Sequence, residues 1–62
     1  MMHCDETTAE GTRVKETATG KKGKLVKGPA GVIWVKPTNS CWVQFDGELQ
    51  PKLVPCPNLE PE

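Results

Sequence analysis

The apolar residues of this chain occur in short runs that glycine and proline separate. In residues 41–45, CWVQF, side chains alternate, so that Trp42 and Gln44 lie on the face opposite the other three. Residues 32–36, VIWVK, are β-branched or aromatic up to the final lysine, which favours a strand. No segment has a helical period of useful length, and the six glycines and six prolines fall largely between the apolar runs. The pattern therefore predicts an all-β chain.

Five strands are predicted, and turns of typical composition join them. The loops ATGKKG, GPAG and PTNS are rich in residues that favour turns, and Asp46-Gly47 is a strong hairpin signal. Five short strands in about fifty residues match the scale of a small five-stranded SH3-like barrel. The predicted strands are residues 12–17, 24–27, 32–36, 41–45 and 48–55, the last interrupted at Pro51.

The two ends of the chain differ from its middle. Residues 1–10 are polar and lack periodicity, so they are predicted to form a flexible, disordered acidic tail. The SH3-like barrel is then expected over residues 11–62, with at most one 3₁₀ turn around residues 58–60. The predicted core consists of Val14, Leu25, Val26, Ile33, Val35, Val43, Phe45, Leu53 and Leu59, with Val32 and Leu49 as further candidates.

The formal net charge is zero, but the charges are arranged in blocks. Residues 1–10 carry three acids and no Lys or Arg, and residues 11–36 carry seven basic residues and one acid. Residues 46–62 carry four acids and one lysine. A basic middle block suggests an anionic partner. The alternative is that the acidic ends fold back and neutralise this block, and the sequence leaves both open.

The basic block contains a turn between two apolar strands. GKKGKLVK (residues 20–27), preceded by RVK (13–15), resembles a KOW motif, in which a strand, a basic loop, a glycine and a second strand follow one another. Gly23 matches the glycine that this family has at the bend into its second strand. Residues 53–55, LVP, and 59–61, LEP, are similar to the closing strands of SH3-like and Tudor-like barrels.

The resemblance covers about residues 11–61 and implies the fold more specifically than the function. KOW motifs occur in ribosomal proteins and transcription elongation factors, which makes nucleic acid an expected partner. Small β-barrels in general bind RNA, DNA, peptides or subunits of larger complexes, so the resemblance does not choose among these partners.

The leading interpretation is a non-enzymatic module that associates with RNA or DNA. Basic side chains on a ridge neutralise phosphates and give salt-dependent binding with little sequence preference. Because side chains alternate along a strand, the patch is expected to wrap an edge of the sheet. An outward Trp42 would offer a stacking surface for a base. The predicted nucleic-acid-binding residues are Arg13, Lys15, Lys21, Lys22, Lys24, Lys27 and Trp42.

The alternative is a protein-interaction module or an accessory subunit of a larger complex. There, an exposed Trp42 and the proline-rich C-terminal segment contact a partner chain, while the lysines keep the turn soluble and protect a sheet edge. Trp34 is expected to cover the open end of a thin barrel. The sequence does not give the oligomeric state.

The chain has three cysteines, Cys4, Cys41 and Cys56, and no CxxC pair. Together with His3 they make four potential zinc ligands, but their spacing lacks the paired pattern of structural zinc sites. No metal or other cofactor is therefore predicted, and Cys41 and Cys56 are expected to be small apolar residues of the core or its rim. The single histidine lies in the predicted tail, so no catalytic set can be assembled and no enzymatic activity is expected.

The N-terminal sequence MMHCDETTAE has no apolar region typical of a signal peptide. No apolar run approaches the length of a membrane span. We therefore expect a cytoplasmic location with reduced thiols and no membrane partner.

Overall fold

The computed structural model describes residues 2–62, so residue 1 of the predicted tail lies outside it. Within these residues all regular structure is β-strand apart from two 3₁₀ turns, which confirms the all-β class. The described residues form six strands where five were predicted. They are β1 (Arg13–Glu16), β2 (Lys22–Leu25), β3 (Trp34–Val35), β4 (Ser40–Phe45), β5 (Lys52–Pro55) and β6 (Leu59–Pro61), with 3₁₀ turns at Lys36–Thr38 and Cys56–Asn58.

The strands form one antiparallel sheet that curls into a half-barrel. The order is β6-β1-β2-β4-β3, and β5 also pairs with β4. At Cys41, β4 has β3 on one edge and β5 on the other. Further along β4, at Val43, the edge that pairs with β3 at Cys41 pairs with β2 instead, and β5 remains on the other edge. Strand β4 is therefore the central strand of the curled sheet, because it pairs with three other strands.

The sixth strand, β6, was not among the five strands predicted from the residue pattern, because its sequence is rich in proline, although the resemblance had compared residues 59–61 with the closing strands of small barrels. It pairs with β1 through Val14–Pro61, Lys15–Glu60 and Glu16–Leu59. Strand β6 lies at the edge of the sheet, where the missing N–H of a proline is tolerated. The single 3₁₀ turn expected around residues 58–60 lies two residues earlier, directly before β6.

The N-terminal segment was expected to be disordered, but the structure places it against the sheet. Cys4 is 4% exposed and belongs to the core. The backbone N–H of Met2 donates to the carbonyl of Leu59 at 2.9 Å, and that of Gly11 to Leu25 at 2.7 Å. The polarity of residues 1–10 suggested a tail, but one buried cysteine is enough to anchor such a segment.

The core contains five residues of the predicted core list, the two cysteines expected in the core or at its rim, and two residues that were not predicted, Cys4 and Val54. Leu53 is 42% exposed, Val32 45% and Leu49 97%, so these three predictions were wrong. Val54 is buried in place of Leu53, because β5 pairs Val54 with Cys41 and this register turns Leu53 outward. The remaining predictions, Val26, Ile33 and Val35, are half-buried. The buried apolar residues are Cys4, Val14, Leu25, Cys41, Val43, Phe45, Val54, Cys56 and Leu59.

Gly23 lies inside β2, whereas the sequence placed it at the bend before the strand. It is opposite Val14 on one side and Phe45 on the other. A Cβ at this position would lie 2.6 Å from the carbonyl oxygen of Gln44 and 2.9 Å from Cα of Phe45. The glycine therefore allows the backbone of β4 to approach β2, while the turn itself uses Gly20 at φ +75°.

Candidate functional site

The predicted basic ridge lies mainly on the outer face of β1 and β2. Arg13 is opposite Lys24, and Lys15 is opposite Lys22. Paired positions point to the same side of a sheet, so these four side chains share one face, although the sequence favoured a patch around an edge. We call this surface, with the acids beside it, the charged face: Arg13, Lys15, Lys22, Lys24, Asp46, Glu60 and Glu62.

Arg13 is held by two carboxylates of the charged face. Its Nη1 and Nη2 donate to the two Oδ atoms of Asp46 at 2.9 and 2.7 Å, and its Nε donates to Oε2 of Glu62 at 3.0 Å. These hydrogen bonds keep the pKa of Asp46 and of Glu62 below the ordinary values and raise the pKa of Arg13. A guanidinium engaged in this way has few donors left for a phosphate.

Two lysines of the predicted site are paired as well. Nζ of Lys15 lies 3.0 Å from Oε1 of Glu60, and Nζ of Lys21 lies 3.5 Å from Oε2 of Glu48. Glu48 also pairs with Lys52 at 3.2 Å, and the hydrogen bond from Lys52 is the main reason that the pKa of Glu48 is lowered. Exposed ion pairs add little to the stability of a fold, but they neutralise the local charge.

The other three predicted lysines differ from these two. Within the described part of the chain, Lys22, Lys24 and Lys27 make no ion pair. Lys22 and Lys24 lie near enough to Asp46 to lower its pKa, whereas Lys27 follows the end of β2 and lines a separate groove. The predicted ridge is therefore divided, and the acidic C-terminal block neutralises half of it.

Trp42 points outward from β4, as the alternation predicts, but it is not an open platform. Its indole packs on Gly28 so closely that a Cβ there would overlap the ring. Trp42 is half-buried, and its cross-strand neighbour on the outer face is the partly exposed Leu53. Backbone therefore covers part of the surface on which a base was expected to stack.

A groove of about 280 Å³ lies between the N-terminal segment and residues 27–34. Its apolar wall is formed by Val32, which is 45% exposed, and by the half-buried Ile33 and Trp34. The indole N–H of Trp34 donates to Oδ1 of Asn39 at 3.1 Å, which orients the ring. We call this feature the tryptophan groove; it is lined by Asp5, Glu6, Thr8, Lys27, Gly31, Val32, Ile33 and Trp34.

Two of the four polar residues that line the tryptophan groove are acidic. Asp5 accepts hydrogen bonds from the backbone N–H and the hydroxyl of Thr7, and these lower its pKa. Glu6 is exposed and makes no ion pair among residues 2–62. With Lys27 as the one basic group among the lining residues, the groove presents net negative charge beside an apolar wall. The sequence did not suggest this site, because residues 1–10 were interpreted as a tail.

The three cysteines, far apart in the sequence, meet in the core. Cys4 and Cys56 are disulfide-bonded, with their Cα atoms 6.2 Å apart. Sγ of the free Cys41 lies 3.0 Å from Sγ of Cys56, and all three sulfur atoms lie within 4.8 Å of one another. The expectation that Cys41 and Cys56 are core residues is confirmed, whereas the expectation of reduced thiols differs from the bonded state of Cys4 and Cys56. We call these residues the cysteine cluster.

Neither the free thiol of Cys41 nor the ring of His3 is placed for nucleophilic chemistry. Burial raises the pKa of the Cys41 thiol to about 11, so it is protonated at neutral pH and a poor nucleophile. His3 is exposed, and its ring lies 3.6 Å from the carboxylate of Asp5. These positions give no arrangement of nucleophile and base in the described residues.

Comparison with known proteins adds no relative: no protein family, curated protein or solved structure matches this chain. No helix among residues 2–62 is long and apolar enough to cross a membrane.

Proposed function

We propose that the chain is a five-stranded SH3-like barrel of the KOW or Tudor-like kind, with β3 as a short addition. The order β6-β1-β2-β4-β5 and the 3₁₀ turn before the last strand support this proposal. The two-residue β3 pairs with the start of β4, where it extends the edge that β2 occupies further on. The fold would then be a scaffold that presents grooves between its loops.

We further propose that the chain is a non-enzymatic module that binds a segment of a partner protein in the tryptophan groove. The observation that carries this proposal is an accessible apolar wall, Val32 to Trp34, next to the carboxylates of Asp5 and Glu6. Aromatic and apolar pockets anchor a partner, and charged groups at the rim select it. The preferred segment is therefore short, with an apolar side chain for the wall and a Lys or Arg for the acids.

The proposal can be tested by selecting binders from a random library of linear peptides. Enriched peptides should combine apolar and basic residues. One such peptide, added to the isotope-labelled protein, should shift the amide NMR signals of residues 5–8 and 31–34. Glu6→Lys reverses one charge of the groove and should weaken binding, whereas Glu10→Lys makes the same change outside the groove and should not. Enrichment of acidic peptides, or equal effects of the two variants, would refute this site.

Nucleic-acid binding is the second candidate. The favouring observation is that like charges lie directly opposite one another, Arg13 with Lys24 and Lys15 with Lys22, an arrangement that an anion would relieve. Lys22, Lys24 and Lys27 would contact phosphates first, while Arg13, Lys15 and Lys21 would have to leave their carboxylates. This competition makes the charged face a weaker anion site than the sequence suggests.

Oligonucleotide binding distinguishes the two candidates by its salt dependence. If the charged face binds phosphates, fluorescence anisotropy of a labelled single strand should give a log K that falls steeply with log salt. Lys22→Glu with Lys24→Glu should abolish that binding, and Lys36→Glu, an exposed lysine outside the charged face, is the control. No binding at low salt would remove this candidate and leave the tryptophan groove.

A cytoplasmic location is also part of the proposal. It predicts that Cys4 and Cys56 are reduced in the cell, because glutathione and thioredoxin keep cytosolic thiols reduced. Alkylation of rapidly quenched cells, followed by mass spectrometry of this chain, would detect either state.

A further inference from the structure

We propose that, when reduced, the cysteine cluster binds one thiophilic metal ion of the Zn²⁺ class through Cys4, Cys41 and Cys56, with His3 as the fourth ligand. This inference is independent of the proposed binding function. It rests on three buried sulfur atoms that the fold brings to one point.

A disulfide alone does not account for the arrangement. Two cysteines complete a disulfide, yet a third, Cys41, lies with its sulfur 3.0 Å from Cys56 and within 4.8 Å of Cys4. Zinc bound by thiolates has Zn–S bonds of about 2.3 Å, and tetrahedral geometry then separates the sulfurs by about 3.8 Å. The sulfur atoms of the cluster are therefore already near the positions that such a metal requires.

Two of the three sulfur ligands are fixed by regular structure. Cys41 lies in the central strand β4, where it pairs with Trp34 on one side and Val54 on the other. Cys56 begins the second 3₁₀ turn, and its backbone N–H donates to the carbonyl of Asn39 at 2.8 Å. A ligand pair held by rigid elements loses little conformational entropy when a metal binds.

The third sulfur ligand and the proposed fourth ligand come together on the N-terminal segment. Cys4 and its neighbour His3 line one surface cavity of about 260 Å³, with Met2, Asn39 and Pro57. This cavity gives an ion access to the cluster from solvent. His3 is exposed, with its ring 3.6 Å from the carboxylate of Asp5, and the proposal requires this ring to turn away from Asp5 to the metal.

The metal site can form only after the Cys4–Cys56 bond is reduced. A dithiol reduces the Cys4–Cys56 bond, so that two thiols form on the protein and the dithiol becomes a disulfide. Zn²⁺ then displaces one proton from each of three thiols and accepts a lone pair from the neutral ring of His3. Metal binding and the Cys4–Cys56 bond therefore exclude each other, and the oxidised chain should bind no metal.

The test uses the full 62-residue chain, reduced by a phosphine and freed of it under anaerobic conditions. Co²⁺ is added first, because its thiolate complexes absorb in the near-ultraviolet and its tetrahedral sites absorb in the visible. We expect one Co²⁺ per chain, both absorptions, and displacement of Co²⁺ by Zn²⁺. Absence of thiolate absorption, or uptake by the oxidised chain, would overturn the proposal.

Variants then identify the ligands. Cys41→Ser leaves the Cys4–Cys56 bond available, so its fold can be verified in the oxidised state before reduction. Its affinity for Zn²⁺ should fall by more than the roughly 10- to 100-fold that removal of an outer-shell partner costs. His3→Gln should weaken binding and remove a nitrogen ligand while the sulfur absorption remains, and Glu10→Gln on the same segment is the control.

A measurement on the unchanged chain covers the case in which Cys41→Ser does not fold. In the reduced protein without metal, denaturant-free alkylation should label Cys4 first, because it adjoins the surface cavity. Zn²⁺ should protect all three cysteines together. Protection of fewer than three would contradict a common metal site.

Discussion

The charged face and the cysteine cluster show opposite relations between sequence and structure. The basic residues of the charged face are close together in the chain, and this density suggested a strong anion site. In the folded protein Arg13 and Lys15 are paired with carboxylates, and Lys21, in the adjoining turn, pairs with Glu48. The cysteines are separated by up to 52 residues and their spacing did not predict a common site, yet they converge at one point in the core.

The difference shows which features of a sequence indicate a site in the folded protein. A run of like charges attracts acids from any part of the chain, so its net field depends on residues that are distant in sequence. Here the acids of residues 46–62 supply that neutralisation, as the block arrangement allowed. A buried sulfur atom can interact only with the groups packed around it. Three sulfur atoms within 4.8 Å of one another are therefore a more specific indication of a site than several lysines close together in the sequence.

The largest expected effect concerns the cysteine cluster. Cys4→Ser removes the link between the N-terminal segment and the second 3₁₀ turn, and loss of such a bond costs about 2–5 kcal/mol of unfolding free energy. Urea denaturation of the wild type and of Cys4→Ser under oxidising conditions measures the difference in unfolding free energy. Under reducing conditions the difference should shrink, because the wild type then lacks the bond as well. Equal stability under oxidising conditions would mean that the cysteine cluster does not hold the fold together.

An intermediate effect is expected beneath the charged face, on the inner side of β2. Gly23→Ala forces a Cβ against the backbone of β4, with the Gln44 carbonyl only 2.6 Å away, and such overpacking costs about 1–3 kcal/mol. The control is Lys24→Ala at the next position, which points outward and should have a much smaller effect on urea denaturation. Similar losses for both variants would mean that the outer face contributes more to the fold than its exposed ion pairs suggest.

The smallest effect is the pH dependence of the charged face and its neighbour Glu48. The pKa values of Asp46, Glu48 and Glu62 are lowered in the folded state, so the unfolded chain binds protons more readily. The stability that these carboxylates add is therefore complete above about pH 5 and is lost as the pH falls through the folded values. Thermal unfolding between neutral and acidic pH measures this slope.

Arg13→Gln sharpens the same experiment. It removes the main cause of the lowered pKa of Asp46 and Glu62, so the slope on the acid side should become shallower. Lys36→Gln removes a positive charge elsewhere and should leave the slope as it is. An unchanged slope in Arg13→Gln would show that the pairs seen around this residue do not persist in solution.

Much of the local structure could be predicted from the sequence, and the errors have identifiable causes. The alternation of residues 41–45 gave β4 and its two faces correctly. The predicted strand 48–55 began too early, because residues 46–51 are a turn and an irregular connection, and β5 starts only at Lys52. Because of its prolines, β6 was not predicted from the residue pattern. Its position depends on pairing with β1 rather than on the strand propensity of its own residues.

The candidate sites were less predictable. Trp42 does face outward, but the contact with Gly28 could not be inferred, since it depends on how the loop after β2 folds over β4. The tryptophan groove needs the N-terminal segment as one of its walls, and nothing in its polar composition indicated that Cys4 would anchor it.

The all-β class, strand β4 and the outward direction of Trp42 could be predicted from the sequence, because each depends on alternation or on turn residues within a few positions. Only the tertiary structure decided the sixth strand, the pairing of the lysine-rich turn with distant acids, and the meeting of Cys4, Cys41 and Cys56. The physical reason is the range of the interactions. Strand propensity and turn geometry act locally, whereas strand register, ion pairing and sulfur proximity join residues whose separation in the chain carries no information about their distance in space.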